Sequence, residues 1–160
     1  MAITEFDCKQ FIAILEEELV PALGCTEPIA IAYAGAHARA LLGKLPERVC
    51  IKSSGNIIKN VKSVTVPNSG NMKGIPAAAA IGIIGGNPDK GLEVLADITD
   101  DDIARTKAFL ENVPCTVSLL DTVAPLHFIV EVAAGSESAS VEIIHQHTNI
   151  VHTTKNGKDV

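Results

Sequence analysis

Apolar residues near the start of the chain recur at steps of three and four. Cys8, Phe11, Ile12, Leu15 and Leu19 form one stripe, while Asp7, Glu16, Glu17 and Glu18 fall mostly off it. That spacing predicts an amphipathic helix from Thr4 to Leu19, with Cys8 packed in its stripe. Pro21 and Gly24 break the pattern. A second helix is expected from Pro28 to Leu42, starting at Glu27 or Pro28 with Thr26 or Glu27 as cap. Proline suits a first helical turn and disfavours a helical residue before it. This helix carries Ala at 30, 32, 34, 36, 38 and 40, and a helix apolar on all sides belongs at the centre of a fold. Gly43 and Pro46 end it.

The period then changes. Val49 and Ile51 alternate with Arg48, Cys50 and Lys52, which reads as a strand from Arg48 to Ser53. Ser53-Ser54-Gly55-Asn56 reads as a turn, Ile57 to Asn60 as a short piece, and Val61 to Val66 as a second strand stopped by Pro67. The loop Asn68 to Gly74 feeds an Ala/Ile helix that Gly85-Gly86-Asn87-Pro88 closes. That run is too short to span a bilayer and apolar enough for a buried core. A short helical piece, Gly91 to Ala96, precedes a helix from Thr99 or Asp100 to Asn112. This last helix opens on the capping-box pattern Thr99-x-x-Asp102 and turns Ile103, Thr106 and Leu110 inward.

The last third reads as β: Pro114 to Leu120, Leu126 to Ala133 and Ala139 to His147, with Gly135 to Ser138 as a hairpin loop. Thr153 to Val160 reads as a fraying end. The expected fold class is α+β, with Ala-rich helices packed on a mixed or antiparallel sheet whose strands concentrate in the C-terminal third. Residues 1–160 are expected to form one domain.

Composition sharpens this picture. The sequence is 47% hydrophobic but only 3% aromatic, without Trp, so the core must be built from Ala, Ile, Val and Leu. A net charge of −6 and the lack of any Lys/Arg cluster argue against a nucleic-acid partner. Four cysteines lie far apart with no C-x-x-C, and Glu5 and Asp7 interrupt the start of the chain. Both observations point to a reducing, cytoplasmic compartment, and the shortness of the apolar run Ile75 to Gly86 points to no membrane partner.

Among these cysteines, Cys25 stands within a residue or two of a helix start, where free N–H groups and the helix dipole favour a thiolate. The competing reading is a small buried hydrophobe. The two Ala-rich helices, each fed by a polar loop, give two candidate anion sites, and Lys73 stands beside the second. Cys50 shares a face with two cations and reads as a half-exposed bystander. His145 and His147 share a strand face, but no Cys or carboxylate spacing accompanies them, so they read as surface or packing residues rather than metal ligands.

Three ordered motifs carry a resemblance. Cys25-Thr26-Glu27-Pro28, then Ser53-Ser54-Gly55-Asn56-Ile57-Ile58-Lys59-Asn60-Val61, then Val66-Pro67-Asn68-Ser69-Gly70 with Lys73-Gly74 and the Ala run resemble the L-cysteine desulfidases. That family includes proteins labelled serine dehydratase alpha-chain-like. The resemblance implies an oxygen-sensitive lyase that releases sulfide from L-cysteine to give pyruvate and ammonia, or dehydrates L-serine. It implies a [4Fe-4S] cluster as cofactor. Cys25 matches the family's N-terminal cysteine, and the roles of base and exchangeable cluster ligand stay open for it. Ser53, Ser54, Gly55, Asn56, Ser69, Gly70, Asn71 and Lys73 are candidates for holding the substrate's polar groups.

Members of that family are several hundred residues long, and their remaining cluster cysteines lie in the C-terminal half. The expectation is therefore an N-terminal portion of an enzyme, with the C-terminal half and a small amino acid as partners and a homo-oligomer left open. Alone it should bind no cluster and turn over no substrate. The alternative is a stand-alone binding or regulatory module for a small acidic metabolite.

Overall fold

In the computed structural model, which describes residues 4–19 and 21–160, two Ala-rich helices form the centre. Helix α1 spans Glu5–Glu18, α2 Thr26–Leu42, α3 Gly55–Val61, α4 Gly74–Gly85 and α5 Asp100–Asn112. Strands β1 Arg48–Ser53, β2 Cys115–Leu119, β3 His127–Ala134, β4 Glu137–Ile144, β5 Ile150–Lys155 and β6 Lys158–Asp159 make one sheet in the order β2-β1-β3-β4-β5-β6. Among the described residues, only the β1–β2 pair is parallel. The fold is α+β with a mixed sheet.

Every residue of α4 except Pro76 and Gly85 is buried. The face of α2 that meets α4 is equally free of bulk. A Cβ on Gly35 would lie 2.7 Å from the Ala79 carbonyl oxygen, and one on Gly82 would collide with the carbonyl of Ala32. Small residues therefore let the two backbones touch, and dispersion between close-packed atoms replaces what large side chains supply elsewhere. Phe128, Val130 and Val132 of β3, with Val49 and Ile51 of β1, complete the core beneath α2. On β3 the burial alternates strictly, as a sheet covered on one face requires.

Helix termini follow their local chemistry. Thr4 and Asp7 form a reciprocal capping box on α1, and Thr99 and Asp102 form another on α5. Gly43 ends α2 at φ +81°, a conformation that glycine adopts without cost. On α5 the inward residues are Thr106 and Phe109, with Ile103 and Leu110 half-buried against the core.

Several expectations are corrected. The α1 stripe is not packed: Phe11, Ile12, Leu15 and Leu19 are more than half exposed, and Cys8 is exposed with them. Helix α2 begins at Thr26, with Cys25 itself as N-cap. Pro28 thus falls at the third helical position, where its missing N–H still costs nothing. Ser53 to Asn56 is not a turn: Ser53 ends β1 and Gly55 opens α3, which takes in the short piece Ile57 to Asn60, because the Ser54 hydroxyl caps the helix. Val61 to Val66 is not a strand; only Thr65 bridges, to Lys73. The piece after α4 is a 3-10 turn, Pro88–Glu93, broken at Gly91. The chain end pairs as β5 and β6 instead of fraying. His145 takes φ +69° and ends β4 at Ile144, so His145 and His147 share no strand face.

The outer face of the sheet carries a hydrogen-bonded row. His127 joins Thr122 through Nδ1 at 2.9 Å and Glu142 through Nε2 at 2.8 Å. His152 meets Glu142 at 3.5 Å and Asp159 at 2.8 Å. The bond to Asp159 raises the His152 ring above its ordinary value, helped by the charges of Asp159 and Glu142.

Two outcomes follow from this packing. Gly82→Ala gains about 1 kcal/mol of helix propensity, but the clash with a backbone carbonyl that cannot rotate away dominates. Chemical denaturation should show a net loss of about 1–3 kcal/mol, and an unchanged or raised midpoint would contradict the contact. The His152 ring, followed by NMR, should titrate above the ordinary 6.5. Its stabilising contact with Asp159 is fully present below 6.5 and fades as the pH rises through the raised value.

Candidate functional site

The N-terminus of α2 gathers residues from all three sequence motifs. Gly24, at φ +143°, lies against Pro67: a Cβ there would sit 3.2 Å from the proline Cγ. Next in the chain, Cys25 caps the helix with extended backbone and makes no side-chain capping bond. Its Sγ donates instead to Glu27 Oε2 at 3.3 Å, and Asn60 Nδ2, from the last turn of α3, donates to the other Glu27 oxygen at 3.4 Å. The first motif supplies the thiol and the carboxylate, the second the amide, and the third the proline beneath the loop.

The electrostatics reverse the sequence expectation for Cys25. Partial desolvation of the sulfur, then the hydrogen bond and negative charge of Glu27, push the thiol above its ordinary value. The Glu27 N–H pulls the other way and loses. For Glu27, burial alone would raise the carboxyl. The bonds from Cys25, its own N–H and Asn60, with the charge of His147, outweigh burial and hold it below its usual range. The pair therefore rests as an ionised carboxylate and a protonated thiol. A helix terminus is worth only a few tenths to about one kcal/mol at an exposed site, and a carboxylate in contact exceeds it.

A cleft of about 530 Å³ opens beside this pair, lined by Thr26, Glu17 of α1, Leu92 and the β4–β5 loop with His145, Gln146 and His147. The two histidines that do not share a strand thus converge on the α2 N-terminus by another route. A smaller cleft of about 200 Å³ on the outer sheet face, beside Arg48, Cys50 and Glu131, touches none of the motif residues.

The expected polar holders divide. Ser53 is fully buried, its hydroxyl without a partner, and Ser54 donates to the Pro125 carbonyl at 2.6 Å while capping α3. Gly55 and Asn56 are exposed at the start of α3. Ser69 is buried and bonds the Val66 and Met72 carbonyls, and a Cβ on Gly70 would strike Ile103 of α5 at 2.8 Å. Asn71 and Lys73 are exposed, with Lys73 leading into α4. The hydroxyls of Ser54 and Ser69 bond backbone carbonyls, and Gly70 holds the Asn-Ser-Gly-Asn loop against Ile103 of α5. Glu27, Asn60 and His147 are the residues here to which the sequence reading gave no place beside Cys25. Glu27 and Asn60 stood inside the motifs, as a helix-start residue and at the end of a short piece; His147 was weighed only with His145, as a pair on one strand.

The other cysteines do not join Cys25. Cys50 is half-buried on β1, where Lys52 is tied to Glu131 at 2.8 Å. Cys115 is half-buried on β2, and burial raises its thiol. Among the described residues, no three His, Cys, Asp or Glu side chains assemble as a metal site, and no helix is long and apolar enough to cross a membrane.

Comparison with known proteins gives relatives of greater length. The chain is 51% identical over 156 residues to a UPF0597 protein of Treponema denticola. It is 50% identical over 149 residues to one of Lachnoclostridium phytofermentans and 50% over 153 residues to one of Finegoldia magna. These alignments cover 93–98% of this chain but 36% of each relative, so the chain spans about a third of the length of the curated relatives it matches. That name states no reaction. No family model matches the chain, and no solved structure matches it.

Glu27→Gln removes the negative charge while keeping the shape. The Cys25 thiol should then ionise at lower pH and alkylate faster near neutrality, measured by mass-resolved iodoacetamide labelling across a pH series. A Cys25 profile indifferent to Glu27→Gln would remove the carboxylate from the argument.

Proposed function

We propose that this chain is a portion of a cytoplasmic lyase that performs β-elimination on L-cysteine, releasing sulfide with pyruvate and ammonia, or the corresponding dehydration of L-serine. The observation that carries the reading is the meeting of the three motifs at the α2 N-terminus, where the Cys25 thiol donates to ionised Glu27 on either side of Thr26, a residue that lines the cleft. β-Elimination needs a base for the Cα proton and an acid for the leaving group, matched in position. Glu27, ionised, takes the proton from Cα. Cys25 Sγ–H gives its proton to the departing sulfur as the Cβ–S bond breaks. Transfer from Glu27 to Cys25 across 3.3 Å restores both groups. The free aminoacrylate tautomerises and adds water, leaving pyruvate and ammonia.

A [4Fe-4S] cluster, which the sequence resemblance implies, does not fit the residues of this chain by themselves. Such clusters are held by sets of cysteine thiolates, and Cys8, Cys25, Cys50 and Cys115 stand on four different elements. Cys25 offers one thiol at most, and a complete set needs sulfur from polypeptide outside these 160 residues.

The test uses the full-length Treponema denticola relative, purified without oxygen and given L-cysteine or L-serine. Sulfide and pyruvate, or pyruvate and ammonia, are the expected products. Alanine at the position aligned with Cys25, or glutamine at that aligned with Glu27, should lower kcat by about 10²-fold or more. Absence of elimination from both amino acids, with tight binding of a small acidic metabolite instead, would favour the binding-module alternative.

A further inference from the structure

We infer that the β2 edge of the sheet is a docking site for an extended strand, supplied by polypeptide of the kind that its relatives carry beyond the matched region. This inference is independent of the lyase reading. Among the described residues, strand β2 pairs with β1 alone and forms one border of the sheet. Two bonds fix the phase of that parallel ladder: Val49 N–H to the Pro114 carbonyl at 2.9 Å, and Leu120 N–H to the Ser53 carbonyl at 2.8 Å. With parallel alternation, the N–H groups of Thr116 and Ser118 turn toward β1. Those of Cys115, Val117 and Leu119 turn outward, without a strand to receive them.

The opposite border is protected in the usual way, being two residues long and charged, Lys158–Asp159. Strand β2 has five residues and neither charge nor proline, so nothing discourages pairing. Its side chains point the same way. Val117 lies opposite Ile51 and Leu119 opposite Ser53. Both partners are fully buried, yet Val117 is 37% and Leu119 70% exposed. The face that is core in β1 is left uncovered one strand further out.

Beside it lies an apolar notch of about 400 Å³, floored by Ile58, Ile75, Pro76 and Val117, with Lys62 and Lys73 at its rim. Neither lysine has a carboxylate in ion-pair contact among the described residues. The fitting partner is a strand with apolar residues at alternate positions for the notch and acidic residues beside the lysines. A second copy fits poorly, because a two-fold axis on β2 would bring like lysine pairs onto one seam. The curated relatives carry nearly two thirds of their length beyond the matched region, which is ample polypeptide for one strand.

Hydrogen exchange resolved by residue decides the matter. In the 160-residue chain, the amides of Cys115, Val117 and Leu119 should exchange fast at all concentrations, while those of Thr116 and Ser118 are slow. In the full-length Treponema denticola relative, the aligned outward amides should slow by about 10²-fold. Lysine at the position aligned with Val117 should release those three and leave the inward pair protected, which separates lost docking from lost folding. Fast outward amides in the full-length relative overturn the proposal. So does protection already present in the 160-residue chain, whether in a monomer or through a concentration-dependent dimer.

Discussion

The direct contact of the α2 and α4 backbones is the constraint on which the rest of the structure depends. A chain with so few aromatic residues cannot fill space with large side chains, and the largest fully buried one is Phe128. It obtains density by removing the space. Gly35 and Gly82 let carbonyls of one helix rest on the other, and alanines fill the remainder. Such a contact tolerates little change, since it has backbone on both sides and no rotamer to relieve strain.

That contact also brings the site together. With α2 held on α4, the loop feeding α4 and the short helix α3 come to lie around the first turn of α2. Pro67 then sits under Gly24, and Asn60 reaches Glu27. The thiol and carboxylate are neighbours in sequence, but the amide and the proline arrive only through tertiary packing. Cys25 thereby keeps its proton and donates a hydrogen bond to Glu27, because a carboxylate in contact outweighs the dipole of a helix end.

Much of this was legible in the sequence, and the failures share a cause. Local signals were reliable: the Thr99–Asp102 box, the alternation of Arg48 to Ser53 and the Gly43 stop appear as read. Periodicity announced that α1 would form with an apolar stripe. It could not announce whether these residues contain anything to cover the stripe, and Phe11 and Leu15 remain open. Ser54 was read as turn and acts as helix cap, because one hydroxyl serves both purposes until its partners are known. The bonds of Ser69 to the Val66 and Met72 carbonyls of its own loop also left no mark in the local pattern. The pairing of Glu27 with Asn60, 33 residues apart, had no local trace at all.

The strand order has a consequence for how the molecule comes into being. Strand β1 is made early, yet both its neighbours come late: Val49 lies opposite Cys115 on one side and Val132 on the other. On the ribosome, therefore, α2 and α4 emerge and can close on each other well before any sheet exists to cover α2. The apolar underside of that helix pair waits for residues 127–144, through a stretch of synthesis lasting several seconds at ordinary elongation rates. Sequence-distant pairings of this kind slow folding, since loop closure precedes any reward from contact. The alanine-rich surface suits that delay, because small side chains exposed in transit present less adhesive area than the aromatic and leucine faces of more conventional cores.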